Sequence, residues 1–309
     1  MYRFYRSPGR HLRFSQCVSV IVVFLFLLGV VVCHPTNFPV DDFDLSGIAG
    51  PYSFNRFCRL SSEELWAVGG NGSVQYTSVK GTIERQITDV SLNGVYFTNS
   101  SAGWVVGNNG TILHTSDQGV NWQIQRSGVN EDLYGVTCHD ENRCWAVGRK
   151  GLILRTIDQG DHWKVLKSGT AAILFAVNFV NARSGWAVGE DGFIVHTDDS
   201  GETWEKQRAT IVLFPKGPFA AATDLLAVKF LDETRGWVAG ASGIARTQDG
   251  GRTWTSKEIE DNAFIGLVSN DGKTVWAISS EGMNYLTKDG GLTWAPADSG
   301  KVAKRQAAR

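Results

Sequence analysis

The pattern Thr-x-Asp-x-Gly-x-x-Trp occurs five times in this 309-residue chain, starting at Thr115, Thr156, Thr197, Thr247 and Thr287. Successive copies lie 41, 41, 50 and 40 residues apart. A second pattern, close to Gly-Trp-Ala-Val-Gly, recurs around Trp66, Trp104, Trp145, Trp186, Trp237 and Trp276. The two patterns together use all 11 tryptophans. A degenerate copy of the first, Thr77 to Gly81, lies one period before Thr115 and lacks both the Asp and the Trp. Each period holds four short apolar runs separated by Gly-rich turns. Four strands per repeat of about 40 residues predict a β-propeller blade. The runs are continuously apolar, as expected for sheets covered on both faces by neighbouring blades. The expected fold is all-β: a propeller of four-stranded antiparallel blades over residues 54–298, with six blades. A seventh would require Asn37 to Ser53 to pair with the tail after Asp298.

The repeated residue types are those of a turn. The Asp boxes centre on Asp117, Asp158, Asp199, Asp249 and Asp289 and close on Trp122, Trp163, Trp204, Trp254 and Trp294. Asp and Thr side chains accept bonds from nearby backbone N–H groups. Gly supplies positive φ, and Trp covers the turn with apolar surface. Each role is structural.

The strings Gly-Trp-Ala-Val-Gly-Glu-Asp-Gly-Phe-Ile-Val-His-Thr-Asp-Asp-Ser-Gly-Glu-Thr-Trp at 185–204 and Gly-Trp-Val-Ala-Gly through Thr-Gln-Asp-Gly-Gly-Arg-Thr-Trp at 236–254 resemble the photosystem II stability and assembly factor family, propellers with bacterial-neuraminidase-type repeats. The resemblance covers residues 54–298. It implies a non-catalytic protein-binding scaffold whose partner is a membrane-protein subunit during assembly. The rival reading is a secreted glycan-binding or glycan-cleaving Asp-box propeller.

The first 35 residues differ in character. Arg3, Arg6, Arg10 and Arg13 precede an apolar run from Val18 to Val32. A basic region followed by an apolar one reads as an export signal. The run falls short of the ~20 residues that span a bilayer comfortably, so a cleaved signal is expected, with an N-terminal anchor as the alternative. Residues 36–53 form a linker and 299–309 a polar tail. The rest of the chain is expected outside the cytoplasm, as a monomer, where disulfides persist. Cys138 aligns with Phe97, Phe179 and Phe230, and Cys144 with Gly103, Gly185 and Gly236. That places them across a hairpin and predicts a Cys138–Cys144 bridge. Cys58 is out of register and is expected to be free.

With 30 basic and 31 acidic residues, net charge −1, nothing global favours nucleic acid. No cofactor or metal is expected. His114 and His196 share a repeat position that elsewhere holds Tyr76, Arg155, Arg246 or Leu286, which is not a ligand set. His139 and His162 fall in turns. A sialidase would need convergent arginines and a Tyr–Glu pair on long loops, but the loops here are short except for Glu205 to Asp224. Asn71, Asn99 and Asn109 begin glycosylation sequons but read as turn residues.

In a four-stranded blade the Asp-box turns emerge on one face, and the opposite face is free to vary. On that face the fourth residue after the box Trp is Arg126, Lys167 or Arg208 in blades 2 to 4, but Glu258 or Asp298 in blades 5 and 6. Arg149 and Lys150 lie in the adjacent turn of blade 3. Lys206, Lys216 and the apolar Ile211 to Phe214 belong to the long insert. These basic residues predict a rim that docks an acidic, partly apolar partner segment.

Overall fold

The computed structural model of the chain describes residues 29–32, 54–61, 64–207, 224–241, 243–259, 263–269, 271–279 and 284–297. One short strand, β1 (Gly29–Val32), precedes six antiparallel blades arranged in a ring. Blade 1 is β2 (Phe54–Arg59), β3 (Leu65–Gly69), β4 (Ser73–Ser78) and β5 (Gly81–Gln86). Blade 2 is β6 (Leu92–Phe97), β7 (Gly103–Gly107), β8 (Ile112–Thr115) and β9 (Gln123–Gln125). Blade 3 is β10 (Leu133–Cys138), β11 (Cys144–Gly148), β12 (Leu152–Thr156) and β13 (Lys164–Lys167). Blade 4 is β14 (Leu174–Phe179), β15 (Gly185–Gly189), β16 (Ile194–Thr197) and β17 (Glu205–Lys206). Blade 5 is β18 (Leu225–Phe230), β19 (Gly236–Gly240), β20 (Gly243–Thr247) and β21 (Thr255–Glu258). Blade 6 is β22 (Phe264–Ser269), β23 (Val275–Ser279), β24 (Tyr285–Thr287) and β25 (Ala295–Pro296). The sequence count of six blades agrees with the ring. In blade 1 the degenerate box is a tight hairpin, with Ser78 opposite Gly81.

The second strand of each blade, built on the Gly-Trp-Ala-Val-Gly run, is buried along its whole length from blade 2 onward. The apolar clusters lie between blades, each drawing side chains from two of them. The repeating unit of that packing is a stack. Trp145 of blade 3 lies on Phe179 of blade 4 at 3.6 Å, and Trp186 of blade 4 lies on Phe230 of blade 5 at 3.6 Å. The box tryptophans Trp204 and Trp254 meet the same Phe rings edge-on, at 5.9 and 6.0 Å. Such pairs contribute about 0.5–1.5 kcal/mol each beyond area burial.

Each stacked Phe sits opposite a Gly in its own hairpin, as Phe179 does with Gly185. A side chain on Gly185 would meet the Phe179 ring at 2.6 Å, so only glycine fits. Blade 3 fills the same pair of positions with Cys138 and Cys144, which are opposite each other and bonded at 2.04 Å. Trp104 of blade 2 thereby lacks a Phe partner and lies on His114 instead, at 4.4 Å.

Cys58 is not free: it is disulfide-bonded. Cys138 and Cys144 bond each other, which leaves Cys17 and Cys33 of the leader as the remaining cysteines, so the partner of Cys58 lies outside the described residues. Gly29–Val32, the end of the apolar leader run, forms β1 and pairs in parallel with β2 (Val31 opposite Cys58) and with β22 (Val31 opposite Leu267). A β-branched run beside two open strand edges finds backbone partners there. Arg208, Lys216, Ile211 to Phe214, Asp298, the 36–53 linker and the 299–309 tail lie outside the described residues. Among the described residues no helix is long and apolar enough to cross a membrane.

Candidate protein-binding face and central channel

The two ends of the propeller are fixed by backbone hydrogen bonds. On one face each Asp box bonds to the first hairpin turn of its own blade, as Ser200 N–H does to Arg183 O at 2.9 Å. On the other face the turn between second and third strands bonds to the incoming connection, as Arg149 N–H does to Asp132 O at 2.9 Å.

Every box has the same internal wiring. In blade 4, Thr197 Oγ1 donates to Asp199 Oδ1 at 2.8 Å and accepts from Gly201 N–H at 2.9 Å. Asp199 Oδ1 then accepts from Thr203 N–H at 2.9 Å and its Oδ2 from Thr203 Oγ1 at 2.5 Å. In blade 3 the residue that returns to the carboxylate is His162, whose Nδ1 lies 2.8 Å from Asp158 Oδ2. The His162 backbone N–H is the largest influence on Asp158; burial opposes it, but bonds from Thr156 and His162 add to it, and the carboxyl is held down to about 2. The same contact raises the His162 imidazole above its usual value.

The boxes also latch neighbouring blades. Trp145 Nε1 donates to Ser200 O at 2.9 Å, Trp186 to Gly250 O at 3.1 Å and Trp237 to Gly290 O at 3.1 Å, each reaching the box of the next blade. In blade 2 the Trp104 Nε1 finds no acceptor among the described residues, and the corresponding carbonyl, Gln159 O, accepts instead from Gln125 Nε2 at 2.6 Å. Arg155 adds a bond to Ser200 O at 3.1 Å and an ion pair to Glu202 at 2.6 Å. Sequence reasoning found the turn chemistry and missed this inter-blade role, because donor and acceptor are about a blade apart in sequence.

The described residues of the expected basic rim lie toward the face opposite the boxes. Arg126, Lys167 and Lys206 are exposed. Arg149 is 55 % exposed and lies 3.5 Å from Asp132, while Lys150 is 77 % exposed and lies 3.1 Å from Glu131. Lys206 sits over the Phe193 ring at 4.4 Å. So three of the five described residues have local partners, and Arg126 and Lys167 face water. Lys150 also has a backbone anomaly. It has φ 57°, where the equivalent turns place Asn71, Asn109 and Asp191. Asn and Asp tolerate that region, and a lysine there is strained.

The inner strands enclose a central channel of about 440 Å³. Arg56, from blade 1, reaches across it. Its guanidinium donates to Ile265 O at 2.9 Å, Phe175 O at 3.4 Å and Leu226 O at 3.4 Å, carbonyls of three other blades. Burial lowers its pKa to about 10. Further along, one repeat position is filled by Cys58, Tyr96, Thr137, Asn178, Lys229 and Val268 in blades 1 to 6. Tyr96 hydrogen-bonds Thr137, and burial pushes its hydroxyl up to about 12. Asn178 Oδ1 accepts from Phe230 N–H at 2.7 Å.

A family model for the photosynthesis system II assembly factor YCF48 matches residues 82–168 and 218–301, more than half of the chain. A solved structure described as YCF48 bound to D1 peptide is 20% identical, over 85% of this chain and 88% of that one, with a TM-score of 0.64. YCF48 from Cyanidioschyzon merolae is 16% identical, over 78% of this chain and 84% of that one, with a TM-score of 0.60. A GH74 enzyme from Niastella koreensis is 14% identical, over 75% of this chain and 45% of that one, with a TM-score of 0.58. At these identities the structural likeness is one of fold. No curated protein sequence matches this chain.

Proposed function

Because the chain belongs to the photosynthesis system II assembly factor YCF48 family, we propose that it is a non-catalytic scaffold that holds a segment of a photosystem II subunit outside the cytoplasm. Family membership carries this reading, and a structural relative described as bound to a D1 peptide supports a peptide of such a subunit as the ligand. The basic leader with its apolar run and the Cys138–Cys144 bridge support an oxidising, exported setting.

The docking surface in this reading is the rim over blades 3 and 4, formed by Arg149, Lys150, Lys167 and Lys206 with Arg126 of blade 2 beside them; Arg208 and Lys216, which lie outside the described residues, are assigned to it from the sequence. Lys150 supports it. A lysine kept at φ 57° costs about 1 kcal/mol relative to a residue suited to that region. Basic charge at the turn is a reason to keep it. The partner is expected to be acidic and partly apolar, matching the rim and the apolar Ile211 to Phe214.

The GH74 likeness raises a glycoside-cleaving reading, which needs two carboxyl groups flanking one bond, one of them raised to act as an acid. Each complete box carboxylate is instead held low and engaged by the Thr of its own turn. No acidic side chain lines the channel among the described residues.

The test is capture of immobilised D1 peptides by the purified chain. Binding by the parent chain, and its loss in the triple variant Arg149→Glu, Lys167→Glu, Arg208→Glu with an unchanged Tm, is the expected result. Equal capture by the folded triple variant rejects the rim. Failure of the parent chain to bind any photosystem II subunit peptide rejects the assignment.

A further inference from the structure

Lys229 breaks the pattern of the inner strands. At its repeat position, Tyr96 pairs with Thr137 of the next blade and Asn178 with the backbone of the next blade. Blade 6 presents Val268 there, a buried hydrocarbon with nothing to offer an ammonium. Among the described residues Lys229 has neither a hydrogen bond nor an ion pair. Protein surrounds its side chain, yet it stays partly accessible, because it opens onto the channel that it lines. A lysine in such surroundings without an acceptor is costly and uncommon.

The surroundings narrow down what could complete it. The channel lining includes Arg56, His139, Lys229 and Arg235, and no Asp or Glu. Arg56 is already satisfied by three carbonyls. Arg235 is held by Asp232 at 2.7 Å, outside the lining. That leaves Lys229, among the described residues, as the lining cation with neither a hydrogen-bond acceptor nor a counter-charge. It stands near the end of β18, beside the Asp-box face, whereas the carbonyls that hold Arg56 belong to the starts of the inner strands. Val136, Val177, Ala227 and Leu267 give the wall apolar stretches between the uncharged polar Tyr96, Thr137, Asn178 and Ser269, so an ion pair formed inside the channel is screened less than one on the open surface.

We propose that the channel binds a carboxylate at Lys229, entering from the Asp-box face. This site is separate from the basic rim, which lies on the opposite face, and it does not depend on the partner assigned above. The carboxylate comes either from a small free acid or from an acidic side chain projected into the channel by a bound protein.

Nuclear magnetic resonance of the full chain with isotope-labelled lysine tests this directly. Acetate is titrated in one series and a short peptide bearing a single glutamate in another, with chloride at equal ionic strength as the control. The expected result is a saturable shift of the Lys229 side-chain signal with acetate or the peptide and not with chloride. Lys229→Met, whose thioether suits the Val268 wall, should weaken binding about tenfold or more, the scale of one charge-assisted hydrogen bond. Lys229→Arg should retain it. Response to acetate alone identifies a free acid as the source, and stronger response to the peptide identifies a protein-borne one. A Lys229 signal unmoved by both ligands overturns the proposal, as does equal affinity in a folded Lys229→Met chain.

Discussion

At Lys229 burial is not offset by any partner among the described residues, and it lowers the amine from 10.5 to about 8. Between these values the unfolded chain holds the proton that the folded chain has released, so stability rises with pH there. The penalty is full below about 8 and absent above 10.5. Lys229→Met should therefore be more stable than the parent by about 3 kcal/mol at pH 7, with the gap closing as pH approaches 10.5. Denaturant unfolding of both chains across that range checks this. A gap that is constant with pH would place the effect in packing. In the sequence Lys229 looks like one polar residue alternating along a strand. Only aligning it with Cys58, Tyr96, Thr137, Asn178 and Val268, and knowing that these face the next blade, shows that it lacks a partner.

The Asp box is the element whose chemistry the sequence states most fully, and also one whose geometry it hides in part. The Thr, Asp, Gly and Trp roles are legible because each residue type suits a turn. The residue before the Gly is not. Gln118, Gln159 and Ser200 adopt φ of 61°, 61° and 68° just before a glycine that is also positive. Gln and Ser carry no signal for that conformation; only Gly250 and Gly290 in the later boxes hint at it. Replacing Gln159 with Gly should be neutral to slightly stabilising, since relief of about 1 kcal/mol of strain is partly offset by a more flexible unfolded chain. The carboxylates make a stronger prediction. Asp158 is held at about 2 by the His162 N–H first, then by Thr156 and the imidazole, against an ordinary 3.8. Stability from a depressed carboxylate is complete above 3.8 and is lost as pH falls toward 2. Asp158→Ala should lower Tm at pH 7 through the loss of its three bonds, and the deficit relative to the parent should shrink in acid. Thermal melts at a series of pH values measure both. A deficit that grows in acid would contradict the assignment.

For the whole molecule, the repeat made the ring and its blade count legible, and register alone placed Cys138 opposite Cys144. It could not reveal how the ring closes, because closure joins residues at opposite ends of the sequence. Five junctions bring the inner strands of adjacent blades directly together, and at the sixth β1 stands between β2 and β22. There β1 takes four residues of parallel pairing from β2 and one from β22. A leader run that reads as removable therefore ends, at Gly29–Val32, in the seam of the fold. Strand edges left open lose backbone hydrogen bonds and become sites for other chains. A chain that begins at Pro35 should fold, since five of the six junctions are untouched, but it loses β1 together with Cys17 and Cys33, the cysteines left to bond Cys58, and its seam should loosen. Hydrogen exchange is the readout: amides of β2 and β22 should exchange faster than those of β10, β14 and β18, while the full chain protects all five strands alike. The pairing is parallel and local, so Val31→Pro in the full chain should reproduce the same pattern by removing one donor from β1. Uniform protection in both altered chains would show that blades 1 and 6 close on each other without β1.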